Sequence, residues 1–204
     1  MSRQVFVVVT LLSLACGAQE RAALTPWDDA LKSELLRRVA ADQAARDRIV
    51  AAMREGSAPD TALFAEMRTI DSSNALWLRE AVARHGWPAR DAVGEEAARA
   101  AFLLVQHADH DTAFQAAMLP EIEAAFRRGQ AAGQSVALLT DRLAVARRQP
   151  QVYGSQTTMT DGRMTFEPIA DSAGVDARRA KMGLPPLSEY KRVLDSVYGP
   201  KRPP

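Results

Sequence analysis

Between Glu95 and Asp109 the chain places Ala97, Ala98, Ala101, Phe102, Leu104 and Val105 so that a helix would be apolar around much of its circumference. A helix with no polar side has only the centre of a domain to occupy. The remaining elements must therefore supply apolar stripes to cover it, and long stretches of the sequence do so at helical period. Leu31, Leu35, Val39, Ile49 and Met53 mark a helix from Trp27 to about Gly56, with Pro26 near its start. Lys32, Arg37, Arg38, Arg46 and Arg48 read as its solvated face. Leu63, Met67, Ile70, Trp77 and Ala81 mark a second helix from about Asp60 to Arg84, with Asn74 on the same stripe as a hydrogen-bonded structural amide. His85-Gly86-Trp87-Pro88 stops it.

Beyond the central helix, Asp111 or Thr112 caps a stretch carrying Phe114, Met118, Ile122 and Phe126, which Pro120 should kink or split. Gly129 to Gly133 is a break, and Ser135 to Arg148 is helical with Val136, Leu139, Leu143 and Ala146 inward. The pattern then changes period. Residues 151–159 and 164–169 are β-prone and flank Asp161-Gly162, a hairpin turn pair, with Pro168 marking an edge. Val175–Met182 and Ser188–Tyr198 close the chain as short helices. The expected fold is mainly α: a single-domain orthogonal helical bundle over residues 19–199, with a small β-hairpin in the C-terminal third and a disordered tail at 200–204.

Residues 1–18 read as a signal peptide, with Arg3 ahead of an apolar run from Val5 to Ala15 that is too short for a permanent span. Cleavage after Ala18 competes with a lipoprotein reading in which Cys16 carries the lipid, although Ser13 stands where that box has an aliphatic residue. The expected location is accordingly exported, either periplasmic or as a membrane-anchored lipoprotein. Membrane contact would come only through the anchor at Cys16. That residue is the only cysteine, so the mature domain holds no internal disulfide. A formal net charge of +1 removes the electrostatic footprint of a nucleic-acid binder.

Reactive chemistry is best sought at Val105-Gln106-His107-Ala108-Asp109-His110-Asp111, which holds two of the three histidines. A metal-free reading makes His107 a general base or nucleophile oriented by Asp109 or Asp111. His107, His110 and Asp111 could instead share a face and hold a divalent metal, a weaker reading because the spacing matches no metal signature. The plain structural alternative buries His107 and uses Asp109 and Asp111 as caps. Tyr153 and Gln156, beside Gly154, form a second group, although strand parity would turn them to opposite faces. Gln106, Arg142 and Arg178 are candidates for holding a ligand, as is His85, which otherwise bonds the last carbonyls of its helix. No nucleophile elbow and no phosphate-binding glycine loop is present.

Taken together, several of these motifs resemble an uncharacterised bacterial family, a domain of unknown function found in actinobacteria, proteobacteria and Bacteroidetes. They are His-Gly-Trp-Pro at 85–88, Val-Gln-His-Ala-Asp at 105–109, Phe-Gln at 114–115, Asp-Arg at 141–142, Pro-Gln-x-Tyr-Gly-x-Gln at 150–156 and Val-Asp-x-Arg-Arg at 175–179. The likeness covers about Trp77 to Tyr190, with Ser155 where the family has Thr and Phe102 where Trp is common; His110 lies outside the motif. The resemblance implies no reaction. It does imply that His107, Asp109, Tyr153 and Gln156 form one recurring set. The leading expectation is an exported hydrolase using His107 with Asp109 and groups of the hairpin, acting on a small molecule of unknown identity. The alternative is a non-catalytic envelope module that binds a ligand or an envelope protein, with the same cluster serving as structure.

Overall fold

The computed structural model describes residues 23–54, 60–160 and 163–198; the leader with Cys16, Gly56, the turn pair Asp161-Gly162 and the tail from Pro200 lie outside them. In chain order the elements are α1 (Asp29–Arg54), α2 (Thr61–His85), α3 (Arg90–Val93), α4 (Glu95–Gln106), α5 (Thr112–Arg127), α6 (Gly133–Ala146), β1 (Thr157–Thr160), β2 (Arg163–Phe166), α7 (Val175–Lys181) and α8 (Leu187–Tyr198). The fold is mainly α, with one two-stranded antiparallel sheet. No helix among the described residues is long and apolar enough to cross a membrane.

α4 is central, as its composition demands. Ala97, Ala100, Ala101, Phe102, Leu104 and Val105 are buried, and α1, α2, α3 and α5 pack around them. Its alanines let neighbours approach closely, while Phe102 and Leu104 fill the spaces between them. The turn of α3, which sequence period did not signal, leads into α4 through Gly94, whose φ of 84° places it in the left-handed region.

The buried face of α2 is rotated from the expected one. Asp71, Asn74, Ala75, Leu78, Ala81 and Val82 point inward, whereas Ile70 and Trp77 are half-buried. Two polar residues can occupy that face because each has a partner. Asn74 Oδ1 accepts from Arg38 Nη1 at 3.2 Å, and Asp71 accepts from Arg46 Nη2 at 2.7 Å. Ahead of α1, Trp27 is buried and donates its indole N–H to the Gly86 carbonyl at 3.0 Å, so His-Gly-Trp-Pro closes α2 against the segment that leads into α1.

α5 runs unbroken through Pro120, which can only forgo one backbone bond; Met118 and Ile122 are buried on either side and hold it together against α6. The N-terminus of α6 sits hard against the end of α7: a Cβ built on Gly133 would lie 2.6 Å from the Met182 carbonyl oxygen, so only glycine fits.

The hairpin is shorter than its β-prone sequence. Pairing runs from Thr157↔Phe166 to Thr160↔Arg163, with one isolated parallel bridge at Gln151↔Ile169. Residues 152–155 are not strand, because their amides turn to a buried carboxylate on α6 in place of a neighbouring strand.

Candidate functional site

Two buried polar clusters flank the α4–α5 junction. The first is built on His107, at the C-terminal cap of α4, where its backbone N–H still bonds the Leu103 carbonyl. Its Nδ1 lies 2.8 and 3.0 Å from the two oxygens of Asp42, a residue of α1 that is 1% exposed. Arg46, one turn further along α1, reaches the same nitrogen through Nε at 3.0 Å, Asp71 through Nη2 at 2.7 Å and Asp42 through Nη2 at 3.2 Å. Three helices thus bring two acids, an arginine and an imidazole into one contact.

A single Nδ1 cannot both donate to Asp42 and accept from Arg46. The ionised carboxylate favours the tautomer with a proton on Nδ1, because a charge-assisted bond outweighs a neutral one. Nε2 then keeps its lone pair, and among the described residues it meets no hydrogen-bond partner. The His107 side chain is 17% exposed.

The two acids are driven apart. Asp42 resists the upward push of burial because His107 bonds it and His107 and Arg46 lend positive charge, which leaves its pKa lowered. Asp71 is raised, chiefly by burial and then by the nearby charge of Asp42, with Arg46 offsetting only part. Divergent carboxyls around one imidazole are the pattern by which folds divide acid and base work.

The same shifts have opposite consequences for stability. Asp42 contributes stability above its unfolded value, about 3.9, that is lost as pH falls through its lower folded value. Asp71 favours the native state most below about 3.9, and that advantage is lost as pH rises through its raised folded value. Asp71→Asn should therefore gain in urea midpoint relative to the unmodified chain as pH rises from 4. A difference that stays flat or reverses between pH 4 and 7 would count against the shift.

Asp109 does not hold the imidazole. It forms an ion pair with Arg142 of α6 and accepts weakly from Gln115 Nε2 at 3.4 Å. Asp111 caps α5 by accepting from the Phe114 N–H at 2.8 Å and pairs with Arg79 at 2.5 Å. The reason is geometric: the chain turns at residues 107–111, and their side chains fan out to different helices. Gln115, fully buried, closes the C-terminus of α4 by donating to the carbonyls of Val105 at 3.1 Å and Gln106 at 3.2 Å. His110 is exposed, and among the described residues no group of three or more His, Cys, Asp and Glu side chains is arranged to hold a metal.

The second cluster is centred on Asp141 of α6, which is 0% exposed. Its oxygens accept backbone N–H groups of Val152 at 2.7 Å, Tyr153 at 3.0 Å and Ser155 at 2.9 Å. Gln151, also buried, spans the same loop by donating to the carbonyls of Gln156 and Glu167 and accepting the Gln156 N–H. From α7, Arg178 donates to the Val152 carbonyl and pairs with Asp171, while buried Arg179 donates to the carbonyls of Tyr153 and Pro185. Gly154, at φ +67° and packed under Leu187 and Ile169, allows the sharp turn.

Tyr153 and Gln156 therefore sit on an irregular loop, and the parity of a strand does not apply to them. Burial raises the Tyr153 pKa, with the charges of Asp141 and Glu123 adding to it, so the phenol stays protonated at neutral pH. Gln156 Nε2 bonds the Ser155 hydroxyl at 3.0 Å and reaches the Leu138 carbonyl at 3.5 Å. Among the described residues no hydrogen bond joins either of them to His107. The chain of contacts runs instead from Asp109 to Arg142, whose sequence neighbour Asp141 holds the loop. Arg178 fastens backbone within this cluster, donating to the carbonyls of Val152 and Asp171 and pairing with the Asp171 carboxylate. His85 bonds Thr25 through Nδ1 at 2.7 Å and packs against Trp27 with the rings tilted by 54°, which ties down the segment ahead of α1; among the described residues it bonds no carbonyl of its own helix.

Sequence reading missed Asp42, Arg46 and Asp71. Arg46 lies across a charge cluster and does not simply face solvent. The signal was present: Leu35, Asp42 and Ile49 are spaced by seven, so Asp42 falls in the middle of the apolar stripe of α1.

The model of a family of unknown function, DUF6624, matches residues 29–202 of the chain. No curated protein and no solved structure matches it.

Proposed function

We propose, for a chain that belongs to the family of unknown function DUF6624, that Asp42 and His107 are the acid–base pair of a hydrolase of the bacterial cell envelope. One observation carries the reading: a carboxylate that is 1% exposed holds His107 by Nδ1, and Nε2, on a side chain 17% exposed, has no hydrogen-bond partner among the described residues. In that arrangement Nε2 takes a proton from water as the water oxygen bonds to an electrophilic carbonyl carbon of the substrate. Asp42 stabilises the imidazolium that forms, and the imidazolium then protonates the leaving group. Arg46, shared between Asp42 and Asp71, keeps the buried acids from repelling each other. Residues 1–18 support export, to the periplasm or to a lipid anchor at Cys16.

A specific observation favours the rival, a binding module in which the cluster is only structural. The charged groups satisfy one another, and His107 lines neither the hollow between α3, α4, α5 and α6 nor the one between α5 and α6. Hydrolysis of 4-nitrophenyl acetate and related activated esters separates the two. Under the hydrolase reading His107→Gln slows turnover about 100-fold, the scale of a lost general base, while the urea midpoint stays close to that of the unmodified chain. Absence of turnover in the unmodified chain, together with a large loss of stability in the variant, would favour the binding module.

A further inference from the structure

On another side of α4 lies a cavity of about 420 Å³, within the range of small-molecule sites. It is bounded by α3, α4, the end of α5 and the start of α6. Phe102, Ile122 and Leu138 give it an apolar floor. Around them stand Arg99, Gln106, Gln134 and Ser135, and none of these side chains makes a hydrogen bond or ion pair with another described residue. Polar side chains without partners among the described residues, standing around an apolar floor, are the arrangement by which a pocket orients a ligand.

The charge of the lining narrows the class. Arg90 is paired with Glu95 at 2.6 Å, so the two cancel, and among the described residues Arg99 is a cation of the lining without an ion-pair partner. The first turn of α6 adds a weaker positive field at the same wall, since Ala132 gives it no side-chain cap. One net positive charge matches a monoanion better than a doubly charged phosphate. The glutamine amides can both donate and accept beside it.

We propose that this cavity binds a small monocarboxylic acid with an apolar, ring-sized body, its carboxylate on Arg99 and its body against Phe102 and Ile122. The site is separate from the His107 cluster: Gln106 and His107 are adjacent in sequence, but only Gln106 lines the cavity, and the proposal stands whether or not the chain is a hydrolase.

The test uses the full-length chain, 3-phenylpropionate and its uncharged counterpart 3-phenylpropanamide, followed by amide NMR shifts. The acid should shift the signals of Arg99, Gln106, Gln134 and Ser135 saturably. Arg99→Gln, at an exposed position that leaves the fold intact, should weaken that binding roughly tenfold through loss of a charge-assisted contact. Ala98→Leu, which fills the cavity from α4, should abolish it. The proposal is overturned if the acid gives no saturable shift at millimolar concentration. It is equally overturned if the amide binds as tightly as the acid, or if both variants bind unchanged.

Discussion

Asp42→Ala is expected to lower the unfolding free energy by about 3 kcal/mol, the lower end of the range for removing one partner from a buried ion pair. Asp42 is 1% exposed and answers both His107 and Arg46, so its loss leaves an imidazole N–H and a guanidinium facing an empty position. The lower end applies because the Arg46 and His107 side chains are 25% and 17% exposed and water can reach them. Asp42→Asn keeps one acceptor oxygen and should lose about half as much. Asp109→Ala is the control. Its side chain is 65% exposed in the pair with Arg142, so the loss should stay below about 1 kcal/mol. Urea midpoints at pH 7 measure all three. Equal losses for Asp42→Ala and Asp109→Ala would remove the distinction between the acid that holds His107 and the acid beside it in sequence.

That distinction is the one sequence reasoning drew wrongly, and the cause is physical. A loop residue two positions from a histidine looks like its partner, but in a turn successive side chains diverge, so nearness in sequence gives no common direction. Asp42, 65 positions away, shares a face with Leu35 and Ile49, and only the packing of α1 on α4 brings it to the imidazole. The longer helices were legible from their apolar period, although the period misplaced the buried face of α2 and gave no sign of α3, and α4 was placed at the centre by composition alone. Membership in a family of unknown function was legible from the motifs, and the family model bears it out. The loop at 151–156 was not legible. Its β-prone residues predict strand, yet its amides are claimed by a carboxylate in another helix, and no local propensity reports such a rival acceptor.

That carboxylate gives the second large effect. Asp141→Ala removes the acceptor of three backbone N–H groups at once, those of Val152, Tyr153 and Ser155. Each buried donor left unpaired costs about 1–3 kcal/mol. The sum is capped, however, because the loop can let go of α6 and take water as its partner. A loss of about 3–5 kcal/mol is therefore expected, with opening confined first to residues 151–156 and to the contacts of Arg178 and Arg179 on the same segment. Native-state hydrogen exchange shows it directly: the amides of Val152, Tyr153 and Ser155 should exchange far faster, while those of α4 slow or quicken only with global stability. Asp141→Asn should fall between, since its amide oxygen still accepts but its NH₂ meets the donors it replaced an acceptor for. Protection of all three amides in Asp141→Ala, with a loss under about 1 kcal/mol, would mean that Gln151 and the two arginines hold the loop without it.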